Sequence, residues 1–168
     1  MANPDTEAVD EIDGDTLVPF EVEPSELDEA THAESLTLYR DSQDNIRFAK
    51  GLQWKTLGGT IAIFVLLGFA GFNSDQHEGY LKTLIVISWA ISAGAIYAIC
   101  ILQSWQNTER EKLRKIVAEL SNLFRAIYRI KSKTEANIHR YILLVFMAIT
   151  MLIGNYVLAT VLIPLFDK

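Results

Sequence analysis

The chain has 168 residues, half of them hydrophobic and 21% charged, with a formal net charge of −6. Its apolar residues are bunched into long uncharged blocks, which excludes a single soluble core and predicts an integral membrane protein. The net charge hides a split: residues 1–35 hold twelve acids and no Lys or Arg, whereas the rest hold nine acids and fifteen bases.

The stretch 1–35 has too few apolar residues and too much self-repulsion to build a core, so it reads as a disordered acidic tail. Two roles fit it: a solvated extension, or a segment that docks on a basic face until anionic lipid or a protein partner displaces it. Within it, TLVPFEVEP has the form of a short extended docking motif. Met1 is followed by acidic residues, not by the basic and apolar regions of a signal peptide, so the first span is expected to serve as its own insertion signal. Pro24 and the following SELD predict a helix start with Ser25 as N-cap. That helix would run toward Trp54 and feed directly into the first span. Its apolar positions, among them Leu36, Tyr39, Ile46 and Phe48, are scattered around the wheel.

Three blocks have the roughly 20-residue length that crosses a bilayer, at 56–72, 84–102 and 141–165, none with a charged residue. Trp54 and Lys55 mark an interface before the first. Four bases lie at 40–55, one at Lys82, nine at 110–140 and one at Lys168, so the positive-inside rule predicts a cytoplasmic N-terminus and an external C-terminus in a plasma (inner) membrane. In the second span Ser88 and Ser92 stand four apart, as do Ala90, Gly94 and Ala98, and in the third Thr150 and Gly154 repeat the spacing. Such small residues predict close helix packing or homo-oligomer contacts. Asn155 is an amide inside the third span and needs a partner there, either a structural hydrogen bond or a wet cavity. Pro164 falls where that helix stops.

Between the second and third spans, Leu113, Ile116, Leu120, Leu123, Ile127 and Ile130 recur at three and four, with Arg114, Lys115, Arg125 and Arg129 opposite. This predicts a basic amphipathic helix at 109–131, opened by a capping box of Thr108 and Glu111 and followed by a second box of Ser132 and Glu135. At about 1.5 Å per residue such a helix is about 34 Å long, so it cannot stand upright over the short return segment. Two arrangements are open. An unbroken helix would lie on the membrane surface with its bases on anionic lipid headgroups; a break at Ser121 and Asn122 would make a hairpin. The continuous phase of the stripe favours the unbroken form. The same spacing also suits an oligomer seam.

The expected fold is therefore all-α: three transmembrane helices, a basic amphipathic cytoplasmic helix, and a helical cytoplasmic extension before the first span. His32, His77 and His139 are scattered, Cys100 is single, and no nucleophile, metal or phosphate-loop motif occurs, so no enzyme, cofactor or metal is expected. Basic residues without interleaved aromatic platforms do not suggest nucleic acid binding. The segment LYRDSQDNIRFAKGLQWKTL entering a short span, a tight loop, a second span and a basic helix resembles, over residues 38–131, the small bacterial membrane proteins of the SLATT-like class. The third span departs from that class's two-span pattern, and no functional residue carries over. The resemblance implies a pore-forming or membrane-perturbing effector in a defence system. The alternative is a membrane scaffold or accessory subunit that recruits a partner through the acidic tail.

Overall fold

The computed structural model describes residues 22–73, 78–129 and 133–165. Four α-helices follow in chain order: α1 Glu29–Phe72, α2 Glu78–Glu119, α3 Asn122–Arg129 and α4 Lys133–Leu162, the last continued by a 3₁₀ turn at Ile163–Leu165. Among the described residues there is no strand. Three helices are long and apolar enough to cross a membrane.

The N-cap of helix α1 falls three residues later than Ser25. It is Asp28, whose carboxylate accepts from the Thr31 backbone N–H at 3.0 Å and from the Thr31 hydroxyl at 2.6 Å. These bonds hold the Asp28 carboxyl below its usual range. Ser25 instead pairs its hydroxyl with His32 Nδ1 at 3.2 Å. Residues 29–35, which fall both in the acidic tail and in the helix expected after Ser25, are the first turns of α1. The helix then runs unbroken into the first span, as the sequence predicts.

At 44 and 42 residues, α1 and α2 are about 66 and 63 Å long, twice the roughly 30 Å hydrocarbon thickness. Each therefore continues from a span into a stalk. They are antiparallel along their length: Gly71 lies beside Leu81 at one end, Gln53 beside Ile99 in the middle, and Phe48 edge-on to Trp105 with centroids 6.4 Å apart at the start of the stalk. Helix α4 is parallel to α1, with Gly68 beside Leu158 and Gly154 beside Phe64. It stops where Pro164 would break the ladder.

The preferred unbroken helix at 109–131 does not form. Residues 109–119 continue the second span's helix, and Thr108 is a mid-helix residue whose hydroxyl donates to the Ser104 carbonyl at 3.3 Å rather than an N-cap. The break comes at Leu120 and Ser121. Ser121 Oγ accepts from the Phe124 N–H at 3.3 Å and caps α3. Asn122 is held from outside: its Oδ1 accepts from the Glu23 N–H at 3.0 Å, and its own N–H donates to the Glu23 carbonyl at 3.4 Å. Tyr39 supports the bend by an edge contact to Phe124 with centroids 5.4 Å apart. Cap chemistry and the extended segment crossing at Glu23 outweigh the phase of the apolar stripe. Leu113, Val117 and Leu120 are buried on the stalk, while Leu123 and Ile127 remain exposed. The second capping box, Ser132 and Glu135, begins outside the described residues, as do 1–21, Gln76, His77 and Lys168.

Two apolar layers hold the spans. One joins Phe64, Leu81, Leu84, Leu158, Leu162 and Leu165; the other joins Leu57, Ala95, Ile99, Met147 and Met151. The opposite faces carry exposed Val65, Phe69, Val86, Tyr97 and Tyr156, the pattern of a bundle whose outer solvent is lipid.

Candidate functional site

Polar residues are built into the seam of this bundle at two levels. The first lies between the apolar layers. Ser88, Ser92 and Asn155 are all 1% exposed or less. Asn155 Nδ2 donates to Ser92 Oγ, which in turn donates to the Ser88 carbonyl at 2.9 Å, while Ser88 Oγ donates to the Ile85 carbonyl at 2.7 Å. Asn155 Oδ1 is buried without a hydrogen-bond partner. A lone acceptor in a packed apolar seam is a cost that another arrangement of the helices could relieve.

The second level is a glutamine layer at the base of the spans. Gln53 Nε2 donates to the Ile99 carbonyl at 3.2 Å and to Gln103 Oε1 at 3.4 Å, and Gln53 Oε1 accepts from Gln106 Nε2 at 2.9 Å. All three glutamines are buried. Arg110 follows, donating to Gln106 Oε1 at 3.1 Å and to Asn107 Oδ1 at 3.4 Å. From α4, Arg140 donates to Asn137 Oδ1 at 2.9 Å. A cavity of about 260 Å³ lies among these side chains, lined by Lys50, Gln53, Gln103, Gln106, Arg110, His139 and Arg140 on its polar side and by Leu143, Leu144 and Met147 on the other. Burial, and then the charge of Arg140, push the Arg110 guanidinium down to about 10. It remains a cation at neutral pH.

Higher on the stalk, Glu109 is a buried carboxylate. The Lys112 ammonium, 2.7 Å from Oε1, holds it below the usual carboxylate range against the opposing effect of burial, with Ser42 as a weaker aid.

The small residues singled out from the sequence part company. Ser88 and Ser92 face α4 inside the protomer, whereas Ala90 and Gly94, two positions away and so about 200° around the helix, are exposed. A Cβ on Gly94 would meet nothing within 4 Å, so this face has no neighbour in the protomer; Ala98 is half-buried. Gly154 sits against α1, where a Cβ would fall 2.6 Å from the Phe64 ring. Thr150 is half-buried and bonds the Phe146 carbonyl at 2.8 Å.

The basic residues opposite the stripe have different surroundings. Arg114 pairs with Glu111 at 2.8 Å, Lys115 is exposed, and Arg125 lies at the bend with a buried, unpartnered Nε. The side chain of Arg129, at the end of α3, lies outside the described residues. Sequence reasoning missed Gln53, Gln103, Gln106, Arg110 and Arg140. A signal existed for two of them: Gln103 and Gln106 continue the buried register of Ser88, Ser92, Ala95 and Ile99 at spacings of four and three.

Among the described residues no group of three or more His, Cys, Asp or Glu is placed to hold a metal ion. Comparison with protein-family models, with characterised proteins and with solved structures finds no match for this chain.

Proposed function

We propose that the protein is a non-enzymatic, homo-oligomeric effector of the plasma membrane that forms a pore or perturbs the bilayer, controlled from its cytoplasmic stalk. The observation that carries this reading is the polar seam: amides and hydroxyls of α1, α2 and α4 at two levels of an otherwise apolar bundle, with an unpartnered acceptor at Asn155. In the protomer the level of Ser88, Ser92 and Asn155 is packed shut. Separating α4 from α2 would expose Ser88, Ser92 and Asn155 together and hydrate them, so the groups that seal the bundle are those that would line a water path once it opens. The unbroken helices give the stalk a mechanical route to the seam, because a tilt imposed at Glu109 is transmitted along α2 to Ser92 without a hinge. Orientation with the stalk inside follows from the positive-inside count. The outward face of Ala90 and Gly94 is the surface on which copies would meet.

The test is reconstitution of the full chain in liposomes loaded with a self-quenching dye. The expected result is protein-dependent release, changed in rate by Asn155→Leu, which removes the unpartnered acceptor and one member of the path. Absence of release across lipid compositions, with the protein inserted and oligomeric, would overturn the pore reading in favour of a scaffold that recruits a partner through its acidic extension.

A further inference from the structure

The basic pocket has a property the pore reading does not use. Among the described residues its arginines have no anionic partner. Arg110 is hydrogen-bonded only to the neutral amides of Gln106 and Asn107, and Arg140 only to Asn137. No carboxylate lines the 260 Å³ cavity. An adjoining cavity of about 200 Å³ shares Arg110 and Arg140 and adds Arg114; its one acid, Glu111, is already paired with Arg114. Three guanidiniums and the Lys50 amine thus converge from α1, α2 and α4 with one carboxylate among the described lining residues. Like charges brought together and partly desolvated are unfavourable unless a counter-charge joins them.

The position of the pocket says what kind of anion. Trp54, Trp105 and Tyr141 are exposed aromatics that mark the headgroup level. Arg110 lies five residues beyond Trp105, about 7.5 Å along the helix, and Arg140 directly precedes Tyr141. On its membrane side the cavity wall turns to Leu143, Leu144 and Met147, and Leu144 also borders an apolar recess between α2 and α4 formed by Ile96, Ile99, Cys100 and Ala148. That recess is shallow, about 10 Å³, so it is a surface against which a chain can lie and not a chamber; a polar compartment bordered on its membrane side by apolar side chains suits an amphiphile. A soluble phosphate would use only half of it.

We infer that the pocket of Lys50, Arg110, Arg114 and Arg140 is a binding site for one anionic phospholipid, its phosphate bridging Arg110 of α2 and Arg140 of α4 and an acyl chain lying along Leu144 and Ala148. Planar guanidiniums are suited to this because each offers two parallel donors to phosphate oxygens. The bound lipid ties the third span to the second at the base of the polar seam. The site is distinct from a general attraction of surface bases to the membrane, because it is interhelical and takes a single molecule.

The test uses the full chain purified in a neutral detergent, with native mass spectrometry counting retained lipid after addition of phosphatidylglycerol or phosphatidylcholine. One phosphatidylglycerol should be retained in preference to phosphatidylcholine. Arg110→Gln with Arg140→Gln should weaken retention by about fivefold per lost cation, whereas Lys55→Gln with Lys115→Gln, exposed bases outside the pocket, should leave it unchanged. Leu144→Trp provides a second arm independent of the arginines: it obstructs the apolar wall that the acyl chain would follow, keeps the cations, and should reduce phosphatidylglycerol retention. Glycerol 3-phosphate, the soluble headgroup, should fail to compete. Equal retention of the two lipids, or retention that survives both the arginine pair and Leu144→Trp, would overturn the site. Full competition by glycerol 3-phosphate would overturn the lipid assignment in favour of a soluble phosphate.

Discussion

Replacing Gln53 by Leu tests whether the glutamine layer is a sealed network. The side chain makes three hydrogen bonds, two as donor and one as acceptor. Leucine removes all three. The Ile99 carbonyl keeps its own helical bond, but Gln106 Nε2 loses its acceptor and Gln103 Oε1 loses its donor, both in buried residues. Each orphaned group costs about 1 to 3 kcal/mol, and the added apolar burial of leucine offsets about 1 to 2 kcal/mol in total, leaving a net loss of roughly 2 kcal/mol. Gln53→Leu combined with Gln106→Met removes the orphaned donor with its acceptor and should recover about half of the loss, since Arg110, half-buried, can reach water in place of Gln106. The assay is reversible unfolding in mixed micelles of rising SDS fraction, followed by the fluorescence of Trp54 and Trp105, which flank the layer. A single-variant loss below about 0.5 kcal/mol, or a double variant less stable than the single, would show that water or relaxed partners satisfy these groups and that the layer is not sealed.

The two glycines should behave oppositely. Gly154→Leu drives a side chain into the Phe64 ring and should destabilise the protomer by about 1 to 3 kcal/mol, or displace α4, in the same titration. Gly94→Leu meets nothing in the protomer, so the unfolding curve should not move while light scattering reports smaller particles; an unchanged mass would reject that face as the oligomer contact. Glu109, with its pKa lowered in the folded stalk, contributes stability that is fully present above the ordinary carboxylate range and lost as pH falls through the depressed value. The difference between the wild-type chain and Glu109→Gln should therefore be largest near neutral pH and shrink on acidification; a difference that grows in acid would refute the pairing with Lys112. Single cysteines at the exposed positions Tyr80 and Lys115, in a Cys100→Ser background, should label from opposite sides of the membrane, Lys115 from the cytoplasm; labelling from one side would remove the two-span hairpin.

The three helices long and apolar enough to cross a membrane and the continuity of the first with its preceding helix were legible in the sequence, because hydropathy over twenty residues is a local property that no tertiary contact reverses. Asn155 was legible for the same reason: an amide within uncharged hydrocarbon demands a partner wherever the chain goes. That partner, Ser92 on α2, depends on which faces of two helices meet, and the sequence offered Ser88 and Ser92 and the Ala90, Gly94 and Ala98 stripe as equal candidates. Only the packing separates them. The break at Leu120 and Ser121 was undecidable from periodicity, since an apolar stripe keeps its phase across a bend; the contact that settles it comes from Glu23, ninety-nine residues away in sequence from Asn122. The basic pocket was invisible for the same physical reason. Arg110 and Arg140 lie on different helices and looked like two more members of a cytoplasmic cluster, and their meeting at one cavity exists only because α4 folds back against both α1 and α2.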